Sequence, residues 1–553
     1  MRRLFPAILL LICVLPSTPA RAQIGMPQGV ALSPFPVAQN PAGYVTFPDG
    51  GGGVWAVFQG ADPRSGLYAT HVNSDGSFAP GFNASARRIA RDSSQVNNIT
   101  ASPDGLGGAV ISWFGTHPKD ANGTLIALRM IHVTYEGLYT TRDSGVVVST
   151  IATAAACAGD GAGGSYVAWE ELKGISNPDI IAQHYDSSGN ATWIPSGSPT
   201  GRNVCATVGI QRLRAMHSDG TEGAYVVWAD SRTPSTTPLY VGHLTPAGVD
   251  AGWTTNGVRL TAVSSTVRFV GSIVSSAGGL WVAWRDFNVA TATLGQHVAV
   301  NGALRWGASG ALMATVSPLH VDFVPAANGD VFVNWGGNDI RCARLDSLGT
   351  RLWSESAGRL LVTPLAPTDI VRVAADGVGG QRLMWSWDNA GQTDINVLAV
   401  DGAGAPRAGE LPGGSTIEAG LGAEYAVAWF FAENVWPVVA WLEDGILRLR
   451  QLLSGTVGVG PATASGTTRL AAPYPNPSRS GQSPTLRFSA PAGDLRLSLY
   501  DAAGRRRLNR ALASPGGAQT YRLDDALHLP PGVYTLTLES NSGISHQRIV
   551  RLQ

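Results

Sequence analysis

Seven carboxylates follow a recurrent tryptophan closely: Glu170, Glu171, Asp230, Asp286, Asp388, Glu443 and Asp444. Side chains that keep one place in successive repeats come out on one face of the repeat assembly, so these acids form a candidate acidic rim. Two readings fit them. In one they are solvated strand ends paired with neighbours such as Arg232 and Arg285. In the other they meet a cationic or polyhydroxylated ligand. A glycosidase needs two carboxyl groups at a defined separation, one of them held protonated, and spacing along the chain establishes neither. His71, His184, His243 and His297 also recur at one place per repeat. That pattern points to a position set by the repeat, not to a single general base. No residue is assigned a catalytic role.

Metal and covalent chemistry find less support. Cys13 lies in the N-terminal apolar run, leaving Cys157, Cys205 and Cys342 in the body. An odd count excludes a fully paired framework, and no CxxC or Cys/His ligand spacing is present. The three read as buried small hydrophobes, or as one Cys157–Cys205 bridge with Cys342 left over. Asp104, Asp160, Asp219 and Asp376 each open an Asp-Gly turn. Hairpin geometry accounts for them, and without the alternating acids of an EF-hand they leave room only for weak calcium binding. No Walker loop, dinucleotide fingerprint or HExxH occurs, and GxSxG-like strings lack the strand-elbow-helix setting. No cofactor is expected.

The elements that position these residues come from a repeat. Asp-Gly-x-Gly-Gly, an alternating apolar stretch and a Trp recur, as in Asp160–Trp169 and Asp219–Trp228. The anchors are Trp55, Trp113, Trp169, Trp228, Trp284, Trp335, Trp385 and Trp441, spaced by 50 to 59 residues. Glycine accepts positive φ in tight turns, and strict alternation marks a strand. A second strand follows, then another turn such as Asp346–Gly349, then a second Trp (Trp193, Trp253, Trp306, Trp353) that is read as starting a last strand. Those four tryptophans precede Gly197, Gly257, Gly310 and Gly358 by four or five residues. Four antiparallel strands per repeat of this length predict propeller blades: an all-β, eight-bladed β-propeller, with seven blades the alternative. Each anchor ring, placed on its blade's inner strand, packs on the neighbouring sheet, contributing about 2–3 kcal/mol. Gly29-Val-Ala-Leu32 resembles Gly257-Val-Arg-Leu260, so residues 28–34 are expected to complete the last blade, which removes an open edge. Sialidase-type propellers carry Ser-x-Asp-x-Gly-x-x-Trp, and no copy here keeps that spacing.

Met1-Arg2-Arg3, an apolar run to Leu15 and Ala20-Arg21-Ala22 form a signal peptide over residues 1–22. The run is too short for a stable membrane span. Residues 23–455 are assigned to the propeller and 456–471, rich in Gly, Ser, Thr and Ala, to a flexible linker. The chain has 68 Gly, 16 Trp and formal net charge zero, a composition of short strands and turns. Residues 472–553 carry ten Arg against five acids, while the body is acidic. Basic residues are not clustered as a nucleic-acid site requires.

Residues 472–553 read as a small Ig-like or fibronectin-like β-sandwich. The series Tyr474-Pro475-Asn476-Pro477, then Leu499-Tyr500-Asp501-Ala-Ala-Gly504, then Pro531-Gly532-Val533-Tyr534, then a terminal apolar strand resembles the type IX secretion C-terminal sorting domain and the related flagellar-hook-cap Ig-like domain. The end reads Arg548-Ile-Val-Arg551, with Arg where that family commonly has Lys. The resemblance implies export through the periplasm and across the outer membrane, with the secretion machinery as partner and a released or surface-anchored product.

Together these features predict a secreted or cell-surface bacterial protein, non-enzymatic, whose propeller presents a face to an extracellular glycan or protein. A secreted glycan-active hydrolase or lyase and a structural surface component are the alternatives. No nucleic-acid partner and no transmembrane helix in the mature chain are expected.

Overall fold

Each Asp-Gly phrase folds into a closed turn. The Asp160 N–H donates to the Gly164 carbonyl at 3.1 Å, and Asp160 Oδ1 accepts the Gly164 and Ala162 N–H groups at 2.8 Å each. Gly161 and Gly163 have φ of 82° and 88°, a region that suits glycine because it lacks a Cβ. The chain enters the turn on one strand and leaves it on the next, and this unit sets the sheets. The computed structural model describes residues 30–552 except for short connecting segments, the longest being 117–125, 194–200, 364–370, 431–437, 452–468 and 471–477. The signal peptide assignment and nearly all of the proposed linker lie outside the described residues.

The chain divides into two compact units, one of residues 1–406 and 411–457, the other of residues 407–410 and 458–553. The first unit contains eight antiparallel sheets among its described residues. Sheet one is Tyr44–Pro48, Val54–Gln59, Leu67–Val72 and Arg87–Ala90; sheet two is Val96–Pro103, Ala109–Gly115, Ala127–Val133 and Val146–Ser149. Sheet three is Ala152–Gly159, Ser165–Lys173, Asn177–Tyr185 and Arg202–Cys205. Sheet four is Gln211–Ser218, Ala224–Asp230 and Leu239–Thr245, with the short Gly248–Val249 and Val258–Arg259 both on its third strand. Sheet five is Val267–Val274, Leu280–Asp286, Thr293–Val298 and Ala311–Ala314; sheet six is Asp322–Pro325, Val331–Trp335, Ile340–Leu345 and Arg359–Val362. Sheet seven is Val371–Ala375, Gln381–Asn389, Gln392–Val400 and Ser415–Glu418. Sheet eight is Glu424–Phe430, Val438–Glu443 and Ile446–Gln451, with Val30–Ala31 on its outer edge opposite Leu449 and Arg448. The fold is all-β and propeller-like. No α-helix occurs among the described residues, and no helix there is long and apolar enough to cross a membrane.

Every sheet shares a hydrophobic core with the next. Trp113 closes the core between sheets one and two, Trp169 that between two and three, and Trp228 that between three and four. Trp284, Trp335 and Trp385 continue the series to sheet seven, and Trp441 packs on Met384, Ile395 and Val397 of that sheet. Phe58 joins Ala440, Leu442, Leu447 and Leu449, so sheet eight packs on sheet one. The first strands of neighbouring sheets lie against each other in the same order, and Glu424–Phe430 lies against Tyr44–Pro48.

Three sequence expectations are corrected here. The anchor tryptophans sit on the second strand of each sheet, one place out from the innermost strand, because the Asp-Gly turn opens the second strand. Trp55 is not at the anchor position. It stands opposite His71, as Tyr166 stands opposite His184, and Phe58 takes the place held by Trp169. Trp193, Trp253, Trp306 and Trp353 lie in the connections ahead of the last strands instead of starting strands, and the glycine before the third sheet's last strand is Gly201, while Gly197 lies outside the described residues.

The second unit holds two sheets. Arg469–Leu470, Thr485–Ala490 and Gly517–Arg522 form one; Arg506–Ser514, Gly493–Asp501, Gly532–Ser540 and Gly543–Arg551 form the other. Leu486 and Leu523 share a core with Leu497, Leu499, Leu536, Leu538 and Ile549. Arg469 and Leu470, placed in the linker by the sequence, pair with Ser489 and Phe488.

Candidate functional site

The repeated histidines are held by the turn acids. His71 Nε2 lies 2.9 Å from Asp49 Oδ2, His132 2.8 Å from Asp104, His184 3.0 Å from Asp160 and His243 2.9 Å from Asp219. In each case the other carboxylate oxygen accepts the N–H of the fourth residue on. One aspartate therefore fixes a hairpin turn and clasps it to the sheet's third strand. Burial on its own would raise the Asp160 pKa, but His184 and the two N–H groups outweigh it and hold it below the usual carboxylate range. The clasp then changes along the chain. Ser275 replaces Asp in sheet five, and in sheet six Asp330 meets Arg344 at 2.7 Å. Such buried pairs, each tying a turn to a strand, are structural. His132, which the sequence pattern missed, belongs with His71, His184 and His243, whereas His297 has no carboxylate partner among the described residues.

The seven rim acids were expected at the ends of the second strands, and four of them can be placed in detail. Glu170 is buried; its carboxylate accepts the Leu213 N–H at 2.8 Å and pairs with Arg212 at 2.7 Å. Glu171 and Asp230 are also buried and accept the indole N–H of Trp169 and Trp228, two residues before each, at 2.9 and 3.1 Å. Asp230 further holds Arg232 through its backbone N–H at 2.8 Å and its guanidinium at 2.6 Å. Asp286, again buried, accepts Ser265 Oγ at 2.7 Å and the Asn288 N–H at 2.9 Å. An open acidic rim is therefore not what these four form: buried anions keep their charge only when hydrogen-bonded, and here the partners come from the fold itself. The side chains of Asp388, Glu443 and Asp444 lie outside the described residues.

The same ends of sheets four, five and seven also carry arginines. In every sheet the second strand ends, and the chain crosses from the fourth strand to the next sheet, at this crossover end, while the Asp-Gly turns lie at the other. Arg212 and Arg268 occupy the second position of the first strands of sheets four and five, both exposed. Arg214 is the extra residue of a bulge between Leu213 and Ala215 and is exposed as well; a bulge re-aims a side chain. Partial desolvation of its guanidinium lowers the Arg214 pKa, against the opposing pull of the nearby Glu170 carboxylate. Arg372, at the matching place in sheet seven, lies 3.6 Å from Asp322, which also holds His320 at 2.9 Å. Sequence reasoning missed these arginines because they sit on the strands before the turns, where nothing in the repeat phrase marks them.

Cys157, Cys205 and Cys342 are unpaired and buried, and burial pushes the Cys342 thiol up to about 12. Among the described residues no group of three or more His, Cys, Asp or Glu is placed to hold a metal ion. In the second unit, Tyr534 Oη donates to the Pro530 carbonyl at 2.7 Å, and Asp501 accepts the Arg505 N–H at 3.0 Å and pairs with Arg507 at 2.8 Å. Tyr500 and Asp501 stand opposite Thr535 and Tyr534, and Gly532 stands opposite Arg551. Residues 474–477 and Gly504 lie outside the described residues.

These features define an all-β repeat protein whose repeated polar side chains serve the fold and whose crossover end exposes arginines in sheets four and five. No family model matches the chain, and no curated protein matches it. Solved structures are similar to it at a low level. The polysaccharide lyase Uly1 is 10% identical, over 67% of this chain and 89% of its own, with a TM-score of 0.38. A fungal alcohol oxidase of the AA5 family, in complex with copper, is 12% identical over 95% and 100%, TM-score 0.35. PorZ, a surface component of the type-IX secretion system of Porphyromonas gingivalis, is 11% identical over 95% and 100%, TM-score 0.24. Likeness at this level carries no argument about activity or ligand.

Proposed function

We propose that the first unit is an eight-bladed β-propeller acting as a non-enzymatic extracellular binding scaffold, and that the second is an Ig-like domain that directs export. The observation that carries the scaffold reading is the fate of the repeated acids and histidines. Those with described side chains are buried and hydrogen-bonded to turns, indoles or arginines, with the exception of His297. An acid or base in catalysis needs a reachable proton and a tuned pKa, and groups locked in this way are poor candidates. The cyclic order of the sheet-to-sheet cores supports the ring. Radial sheets leave two ends open to solvent, and the crossover end with its exposed arginines is the face we assign to binding an extracellular glycan or protein. A leader peptide and the Tyr500-Asp501 and Gly532–Tyr534 motifs support export.

The test is a binding and turnover screen of the mature protein on neutral and acidic glycans and on extracellular proteins. The expected result is saturable binding without turnover. Turnover of any glycan that is lost in Asp230→Asn or Asp286→Asn while the protein stays folded would replace this reading with the hydrolase or lyase. Export is tested separately: a chain lacking residues 472–553 is expected to stay in the periplasm, and its normal release would remove the sorting role.

A further inference from the structure

The first strands, innermost in their sheets, are not alike. In sheets two to five they have eight residues each; in sheets one, six and seven they have five, four and five. All of them end at the turn before the second strand, so the added residues extend the crossover end. Each long strand also carries a bulge. Asn98 and Ile99 together stand opposite Trp113, and Thr153, Arg214 and Val270 are extra residues on their strands. The first strands of sheets one, six and seven pair with their second strands without a bulge. That of sheet eight is bulged, but its side chains lie outside the described residues. Bulges re-aim side chains and gather beside functional sites. Asn98 is moreover held at φ 50°, a conformation that costs energy for a residue with a Cβ.

The four long strands lie side by side in chain order. Their exposed side chains are Asn97, Asn98, Thr153, Arg212, Arg214 and Arg268, all in the crossover half and none apolar. The strands bring three arginines and no acid. Glu170 reaches in among them from the second strand of sheet three, but its carboxylate is filled by Thr153 Oγ1 at 3.2 Å, Arg212 at 2.7 Å and the Leu213 N–H at 2.8 Å. Arg214 lies near that carboxylate yet hydrogen-bonds to the Leu213 carbonyl, at 3.3 Å. Arg268, Asn97 and Asn98 have no side-chain partner among the described residues. Four neighbouring strands thus present guanidinium, amide and hydroxyl groups on one arc.

We propose that this arc binds an acidic oligosaccharide, with uronate carboxylates on Arg214 and Arg268 and sugar hydroxyl groups on Asn97, Asn98 and Thr153. The inference rests on the binding-scaffold reading and names its ligand class. Arginine binds carboxylates through paired, planar hydrogen bonds. A sugar hydroxyl both donates and accepts, which matches an amide or another hydroxyl. A peptide is the poorer match: its apolar side chains would find no exposed apolar residue on these strands against which to lose water.

The experiment uses the mature full-length protein and three labelled probes in fluorescence polarisation: an oligogalacturonate, a neutral galacto-oligosaccharide of the same length and a Glu-rich peptide. The expected result is binding of the oligogalacturonate alone, at least tenfold weaker in Arg214→Ala/Arg268→Ala and weaker also in Asn98→Gly. Glycine accepts the φ of Asn98, so that variant removes the amide and keeps the backbone. Arg305→Ala, at an exposed arginine of the opposite end, should bind as the unaltered protein does. Unchanged melting temperatures confirm that the variants are folded. Equal binding of the neutral sugar or of the peptide would overturn the ligand class. Oligogalacturonate binding indifferent to Arg214→Ala/Arg268→Ala, or lost in Arg305→Ala, would overturn the arc as its site. Binding of none of the three would overturn the proposal, and the wider glycan and protein screen then decides the scaffold reading separately.

Discussion

At the anchor position a large ring is matched to a missing side chain. Gly145, Gly201, Gly257, Gly310, Gly358 and Gly414 each precede the last strand of their sheet with positive φ, and a Cβ on any of them would press on the anchor tryptophan of that sheet. Sheet one carries Phe58 instead of Trp, and the residue before its last strand is Ala86, at φ 56°. The smaller ring leaves room for the methyl group, and Ala86 packs against the core that contains Phe58. Phe58→Trp alone is therefore expected to overpack the site and destabilise by about 2 kcal/mol. Adding Ala86→Gly should recover at least half of that loss. Urea unfolding of the four members of the cycle measures the coupling, and additive effects would show that ring and methyl do not meet. A second residue-scale expectation concerns the clasp in sheet four. Burial alone would raise the Asp219 pKa, but the hydrogen bonds to His243 and to the Thr221 and Gly223 N–H groups bring it down to about 2. His243 is pushed down by burial and, more strongly, up by hydrogen bonds to Asp219 and Asp250, ending above its ordinary value. A depressed acid stabilises above its unfolded pKa, about 3.9, and loses that as pH falls toward 2. A raised histidine stabilises fully below about 6.5 and loses that as pH rises through its folded pKa. The melting-temperature gap between the protein and His243→Asn should thus be widest between about pH 4 and 6.5 and narrow on both sides. A gap that is flat with pH would mean the pair titrates as it does unfolded.

At the scale of elements, the turns and second strands were legible in the sequence because both obey short-range rules. Asp-Gly-x-Gly-Gly demands positive φ, and the stretch after it alternates. What escaped was register. Trp55 and Trp113 look alike as letters, but Trp55 is six residues after its turn Asp and Trp113 nine, so Trp55 faces the turn of the next sheet and donates its indole N–H to the Gly107 carbonyl at 3.0 Å. Tyr166 and Tyr225 hold the same place and reach Glu222 and Gly278 carbonyls at 2.6 and 2.5 Å. Counting from the turn instead of matching tryptophans would have found this row of latches. The bulge that exposes Arg214 has no letter pattern of its own, since an unpaired residue is defined by the partner strand. Arg506–Ser514 was missed as a strand for another reason. Its Leu508 and Leu512 are four apart among Arg, Asn and Ala, closer to a helical pattern, and it becomes a strand because Gly493–Asp501 pairs along its length. The burial of the acids escaped too: an acid two residues after a tryptophan lies on the same side of the strand, within reach of that ring's N–H, but only the structure shows the distance closed.

At the scale of the whole first unit, the N-terminal strand decides how the last sheet ends. Val30 and Ala31 pair with Leu449 and Arg448, and Leu32 N–H donates to the Leu447 carbonyl at 2.8 Å. Ser33 Oγ accepts the Leu447 N–H at 2.8 Å, while the Leu32 carbonyl accepts Thr70 Oγ1, from sheet one, at 2.7 Å. One short segment therefore ties sheet eight to sheet one, and Leu32 is buried in the core they share. Without it Ile446–Gln451 would keep only Val438–Glu443 beside it and become an open edge, and the Phe58 core would open to water. Burial of Leu32 alone is worth about 2 kcal/mol, and several buried hydrogen bonds go with it at about 1 kcal/mol each. Removal of residues 23–34 is therefore expected to lower the unfolding midpoint by an amount equal to about 4 kcal/mol or more, and Leu32→Asp should approach the same loss. A synthetic peptide of residues 23–37, titrated into the truncated protein, should raise its melting temperature to a plateau, since a ligand that binds only the folded state stabilises it by mass action. The Leu32→Asp version of that peptide should not. Truncation without loss of stability, or a peptide without effect, would mean that sheets one and eight hold together through their own side chains and that the strand is an ornament on an already closed ring.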